Sequence, residues 1–159
     1  MYDDIPFNYR DIAVHDSENV KGFFGEYRWL SNFYPCKTEF DGRLYKCSEA
    51  AYMAAKLEHP EDRVRFEQYD GRTAKLEGRK VKLRPKWEYI KLGVMSQVLR
   101  SKFELNDNLL KKLLETGDKY LEETNWWKDT FWGVDYKLGG KNMLGQLLMD
   151  IRHYLRRYE

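Results

Sequence analysis

The stretch Cys36-Lys37-Thr38-Glu39-Phe40-Asp41-Gly42-Arg43-Leu44-Tyr45-Lys46-Cys47-Ser48-Glu49-Ala50-Ala51-Tyr52-Met53-Ala54-Ala55-Lys56-Leu57 decides the fold class, because its character reverses halfway along. Asp41-Gly42 between two short segments is the strongest hairpin signal in the chain, since both residues tolerate the positive φ of a two-residue turn. After Cys47 the signal is helical. Ser48 is suited to an N-cap, and Glu49 to Leu57 combines high helix propensity with no breaker, which predicts a helix of about ten residues starting at Ser48.

Further helices are expected on the C-terminal side. Pro60 suits the first turn of a helix over Glu61 to Tyr69, and Gly71 and Gly78 bracket a third short segment. Lys86 to Glu104 carries Trp87, Ile90, Val94 and Val98 on one face and Leu92, Met95, Leu99 and Phe103 beside it. That stripe is too wide for a surface helix and predicts a central, largely buried one. Asn106 to Thr116 forms a helix through Leu109, Leu110, Leu113 and Leu114, ended by Gly117, and Tyr120 to Thr124 reads as a short strand. The last helix repeats Leu144, Leu147, Leu148, Ile151, Tyr154, Leu155 and Tyr158 at helical spacing, with Gln146, Asp150, Arg152, Arg156 and Arg157 opposite. No strand-helix-strand alternation is present, so the expected class is α+β: a mainly helical single domain with a small β-sheet. Residues 1–19 are polar without periodicity and read as a variable N-terminal arm ahead of a domain over 20–159.

Bulk composition narrows the function classes. With 159 residues one core is expected, and 28 Lys plus Arg against 26 Asp plus Glu leave a net charge of +2, which excludes a histone-like polybasic surface. A hydrophobic fraction of 42% with 16% aromatics excludes a disordered chain. A mean hydropathy of -0.80 and the lack of any apolar run near about 18 residues argue against a membrane span. Met1 to Arg10 has neither a basic segment nor an apolar one of the kind a secretory signal needs, which predicts a cytoplasmic protein. Cys36 and Cys47 with His15, His59 and His153 match no zinc spacing, so neither a metal nor a disulfide is expected. No cofactor and no obligate protein partner is readable.

Three regions could carry chemistry. Glu49 and Lys56 are seven positions apart, so about 100° per residue places them nearly in line on one helix face, with Tyr52 and Met53 on the same side. They are either a reactive pair on an apolar stripe or a solvated Glu and Lys on an ordinary amphipathic helix. Arg79-Lys80-Val81-Lys82-Leu83-Arg84-Pro85-Lys86-Trp87 packs five cations into nine residues. It could clasp a nucleotide, with cations on phosphate and an indole on a base, or be surface charge ahead of a buried helix. In Trp126 to Asn142, Gly139-Gly140-Lys141-Asn142 before a helix could present amides and an ammonium to phosphate, the other reading being a flexible turn. The P-loop spacing is absent. Asp135 by itself suits a turn. Trp29, Phe33 and Tyr34 around Leu30-Ser31-Asn32 are either core or a stacking wall.

Taken in order, Phe23-Phe24-Gly25, Leu30-Ser31-Asn32-Phe33, Ser48-Glu49-Ala50-Ala51-Tyr52 with Ala55-Lys56, Gly78-Arg79-Lys80-Val81 with Arg84 and Trp87, and Trp132-Gly133 through Gly140-Lys141-Asn142-Met143-Leu144-Gly145 resemble the NADAR (YbiA-like) family. The resemblance covers about Gly22 to Arg152. It departs at Ala50, where relatives often carry His, and in a longer stretch between Trp132 and Gly140. It implies a metal-independent N-glycosidase domain that hydrolyses the bond between ribose and an exocyclic amine. The substrate so implied is either ADP-ribose on the amino group of guanine in a nucleotide or nucleic acid, or a ribosylamino-pyrimidine phosphate of early riboflavin biosynthesis. The first is favoured, and a noncatalytic ADP-ribose-binding module is the remaining alternative. On this reading Glu49 is the acid-base group, Lys56 a nucleophile forming a Schiff base, and Asp135 a group orienting ribose hydroxyls or water. Direct attack by water assisted by Glu49 stays open beside it. Arg84, Lys141 and the backbone near Gly140 would hold phosphate, and Gly133 and Asn142 would also meet the substrate. Asn32 would meet polar edges, and Phe33, Trp87 and Trp132 would wall the base or ribose.

Overall fold

Asp41 and Gly42 take φ of 49° and 80°, the two left-handed residues of a two-residue turn, and they close the hairpin in the register Phe40↔Arg43, Glu39↔Leu44, Thr38↔Tyr45. The computed structural model describes residues 8–158, and the sequence expectations for residues 1–7 lie outside it. In chain order the elements are β1 (Val14–His15), β2 (Asn19–Lys21), β3 (Thr38–Phe40), β4 (Arg43–Tyr45), α1 (Ser48–Ala55), α2 (Gly71–Gly78), α3 (Trp87–Glu104), α4 (Asp107–Glu115), β5 (Tyr120–Glu122), β6 (Thr124–Asn125), β7 (Val134–Asp135) and α5 (Met143–Arg156). Tighter 3₁₀ turns cover Tyr9–Asp11, Gly25–Leu30 and Pro60–Gln68. The class is α+β and mainly helical. In place of one small sheet there are three: β1-β2-β5, the β3-β4 hairpin and the parallel pair β6-β7. Among the described residues no helix is long and apolar enough to cross a membrane.

The chain divides into two compact units, Asn32–Lys111 and the segments Met1–Ser31 with Lys112–Glu159. In the first, α1 is the centre: every residue from Ser48 to Ala55 is buried, with α2, α3 and the β3-β4 hairpin packed around it. Ala50, Ala51, Ala54 and Ala55 make this possible, because small side chains let neighbours close on all sides. The closest approach is to α2, where a Cβ on Gly78 would collide with the Met53 side chain and one on Gly71 would lie 3.0 Å from Phe33 Cα. The N-cap is Cys47, not Ser48, whose buried hydroxyl finds no partner and caps nothing. Helix α3 is buried in its C-terminal half, and Ser101 Oγ joins it to β3 by accepting the Glu39 N–H at 2.9 Å. Pro60–Gln68 lacks a helical apolar stripe and stays a 3₁₀ turn anchored by buried Arg63, which donates to Leu57 O at 2.8 Å and to Asp41 Oδ2 at 2.8 Å.

In the second unit β2 pairs antiparallel with β1 and parallel with β5, so Val14–His15, within the expected arm, is a sheet strand. The segment expected as one strand from Tyr120 is divided between β5 and β6. Helix α5 covers β5 with Leu144, Leu148, Ile151 and Leu155. Arg152, expected on its polar face, is instead buried and donates to Thr116 Oγ1 at 2.9 Å, while Tyr154 and Tyr158 are exposed.

Candidate active site

Burial of α1 overturns the solvated reading of Glu49, which is 8% exposed and has its own backbone N–H bonded to Asn32 O at 2.9 Å. Asn32 therefore occupies one of the first-turn donors that a helix leaves open. Its side-chain Nδ2 points at Met95 Sδ, 3.6 Å away, and its Oδ1 is buried with no partner, as is Ser48 Oγ. Two buried oxygens without donors thus lie beside the Glu49 turn, a hydrogen-bonding capacity that native interiors seldom leave unmet.

Lys56 follows α1 as its C-cap, half-buried, with Nζ 5.8 Å from the centre of the Tyr52 ring. Tyr52 in turn lies 5.3 Å from Trp87, which is only 5% exposed. Trp87 thus packs as part of the wall behind Lys56. Burial pushes the Lys56 ammonium below the ordinary lysine range, and the Arg79 and Lys91 charges push in the same direction against the opposing pull of Glu49 and Glu88. Arg84 holds the end of this helix: its N–H donates to Lys56 O at 2.8 Å and its Nη1 to Ala55 O at 3.4 Å. Phe33 lies against α2 under Lys75, whose Nζ is 5.9 Å from its ring. Asn32, Phe33, Glu49, Lys56, Arg84 and Trp87 are thus gathered around α1 within one unit.

The other predicted residues sit in the loop from β6 to α5, in the second unit. Asp135 is 4% exposed, and its carboxylate accepts three backbone N–H groups, from Lys128, Lys137 and Leu138, each at 2.9 Å. Burial alone would raise its pKa, but these donors outweigh it and hold the carboxyl below the ordinary value of 3.8. Asp135 is therefore an ionised staple for its own loop. The amides expected at a phosphate are also occupied: Lys141 N bonds to Thr130 O, Asn142 N to Gly133 O, Met143 N to Phe131 O and Leu144 N to Trp132 O, at 2.9 to 3.2 Å. No open anion cradle is left by those four groups at the start of α5. Asn142 is buried too, accepting from Glu123 N at 3.0 Å and donating to Leu121 O at 2.9 Å. Gly133 and Gly140 let backbone pass where any side chain would collide. Trp132 stacks edge-on against Phe131 at 4.9 Å, and Lys141 is exposed.

Sequence reasoning missed Asn125 and Asp129 in this loop. Asn125 is fully buried and exchanges bonds with the Asp129 backbone at 2.9 and 3.1 Å, while Asp129 Oδ1 accepts from Phe131 N and Trp132 N. Their four-residue spacing with short polar side chains was the available signal. Among the described residues no three His, Cys, Asp or Glu side chains form a group that could hold a metal ion.

The model of the NADAR domain family matches residues 20–156. A riboflavin biosynthesis protein of Vibrio vulnificus strain YJ016 is 35% identical over 154 residues, which is 92% of this chain but 39% of that protein's length. The N-glycosidase YbiA of Escherichia coli K12 is 34% identical over 134 residues, 82% of each chain. The solution structure of E. coli YbiA superimposes with a TM-score of 0.77 at 32% identity, covering 92% of this chain and 89% of that one.

Proposed function

The chain belongs to the NADAR domain family and is a hydrolase of N-glycosyl bonds, and from that premise we propose that it removes ADP-ribose from the exocyclic amine of guanine, with Glu49 and Lys56 as the reacting pair. The observation that carries this reading is the lysine itself: half-buried over Tyr52, with its ammonium disfavoured, one helix length from a buried carboxyl group. A neutral amine is a nucleophile and an ammonium is not.

An exocyclic glycosylamine keeps an N–H, so protonation of its ring oxygen opens the ribose to an imine at C1. Glu49 supplies that proton. The Lys56 amine adds to C1, and the guanine amine leaves with a proton returned through Glu49, which leaves a Schiff base between C1 and Nζ. Water then adds to C1 and releases free ADP-ribose and Lys56. Arg84, whose guanidinium is held at the end of α1 by Ala55 O, would take a substrate phosphate with its remaining N–H groups. Asn32 Oδ1, buried without a donor, suits a substrate N–H or O–H. Asp135, Asn142 and Gly133 act by shaping their loop, in which Trp132 packs against Phe131 and Lys141 stays exposed.

A second substrate, a ribosylamino-pyrimidine phosphate, is favoured by the name of the Vibrio relative, which aligns with 92% of this chain. Both offer the same ribose-amine bond. Parallel incubation with an ADP-ribosylated guanine nucleotide and the pyrimidine phosphate, followed by mass spectrometry, separates them. Borohydride added during turnover is expected to leave one reduced ADP-ribosyl unit on Lys56. Turnover of the pyrimidine phosphate alone would overturn the substrate assignment, and turnover without any lysine adduct, retained in Lys56→Ala, would overturn the covalent route in favour of water attack assisted by Glu49.

A further inference from the structure

Charge is unevenly placed along this chain. Residues 32–111 contain 17 Lys and Arg against 12 Asp and Glu, while the remaining residues contain 11 against 14. Five of those cations, Arg79, Lys80, Lys82, Arg84 and Lys86, fall in the connector between α2 and α3, which has no acid. Within the connector itself one sign repeats without a break, the acids lying around it: Glu77 and Glu88 at its two ends, and Glu61 and Asp62 in the hollow that Lys82 also lines.

The connector is open to solvent. Arg79, Lys80, Lys82 and Lys86 are exposed, and Tyr89 just beyond them is 89% exposed. Lys80 is drawn to Glu77 at 3.1 Å, but Arg79, Lys82 and Lys86 enter no ion pair among the described residues. Their mutual repulsion is relieved by a polyanion, which releases counterions as it binds. The segment is also tied to the reacting lysine, through the Arg84 N–H on Lys56 O and through the Arg79 charge that acts on Nζ. A single small ligand phosphate needs Arg84 and one neighbour. The other cations exceed that need.

We propose that Arg79, Lys80, Lys82 and Lys86 form a phosphate-backbone track for a single-stranded polynucleotide that carries the modified guanine, with Tyr89 offering its ring to a flanking base. The track rests on the proposed activity for its purpose but not for its test. An exposed aromatic beside a line of cations suits an unpaired strand, whose bases are free to stack, better than a duplex.

The test uses the full chain and a charge-reversed variant, Lys82→Glu with Lys86→Glu, both positions being exposed. Fluorescence anisotropy with unmodified guanine-containing single-stranded DNA and RNA oligonucleotides is expected to show salt-dependent binding by the parent. The variant is expected to bind at least tenfold more weakly, with a log-log salt slope shallower by about 1.4, two contacts at about 0.7 each. Loss on either DNA or RNA supports the track and identifies the strand it takes. Absence of parental binding to both at 50 mM salt, about the low end where such contacts are strongest, or equal binding by the variant, overturns it. In the activity arm the variant's kcat/KM is expected to fall about tenfold on an ADP-ribosylated oligonucleotide and to be unchanged on the ADP-ribosylated mononucleotide. If the parent turns over neither while the binding loss is present, the substrate reading fails and the track stands.

Discussion

Two buried acids, Glu49 on α1 and Asp135 on β7, have nearly equal exposure and differently satisfied surroundings. Asp135 has three backbone donors and holds a loop in place, whereas the Glu49 turn is flanked by two buried oxygens that lack donors. The same contrast runs through their surroundings. Around α1 a lysine is left short of solvation, while from Thr130 to Leu144 the chain's own carbonyls occupy four successive amides. Residue type made both regions look like sites. What separates them is how fully the polar groups around each are satisfied after folding.

The sharpest way to break that contrast is to neutralise each acid. Glu49→Gln is expected to lower kcat by about 10³-fold, in the range for loss of a general acid-base group, with little change in the denaturation midpoint. Near-parental turnover would make Glu49 a structural acid after all. Asp135→Ala is expected to do the reverse: chemical denaturation should show a loss of about 3 kcal/mol, since buried amides lose a charged acceptor, while the folded fraction keeps kcat within a few-fold. The sign with pH follows from the lowered pKa. The Asp135 contribution is fully present above the ordinary carboxyl value of 3.8 and is lost as pH falls through the lower folded value, so Asp135→Asn should flatten the acid limb of the stability curve. A smaller effect sharpens the Lys56 half of the comparison. Arg79→Ala removes a charge that disfavours the ammonium, so the alkaline-rising limb of the activity profile should move up by a few tenths of a pH unit. A shift in the other direction would disconnect Arg79 from Lys56. The smallest expected effect is none: preincubation with EDTA should leave turnover unchanged, and a loss restored by zinc or magnesium would place a metal in the reaction.

Much of the fold was legible because its signals are local. Asp41-Gly42 specified its turn and register, and the helices over 48–55, 87–104 and 143–156 follow from propensity, punctuation and apolar spacing. Strands of two or three residues, such as Val14–His15 and Thr124–Asn125, contain too few positions for alternation to register. Glu49 and Lys56 were found through spacing, but the burial of Glu49 depends on what packs over four alanines of α1, which no local pattern reports. Asp135 was read as a ribose-orienting group because its partners are decided by loop geometry, including the left-handed Lys128 whose N–H it accepts. Ser48 was read as a cap from its type alone, and the helix began one residue earlier than that reading required.

The glycines at the two ends of α2 extend the lesson to mutational scanning. Gly78 faces Met53, a neighbour of Tyr52 on the helix that presents Glu49 and Lys56, and Gly71 faces Phe33, next to Asn32. A methyl group at either position acts as a wedge, shifting reactive groups it never touches. In a saturation screen scored by activity, Gly71 and Gly78 should therefore appear as intolerant as Glu49, though they contribute no functional group. Intolerance in such a screen marks the places where the molecule has no slack, and only a readout such as the Lys56 adduct picks out the atoms that react.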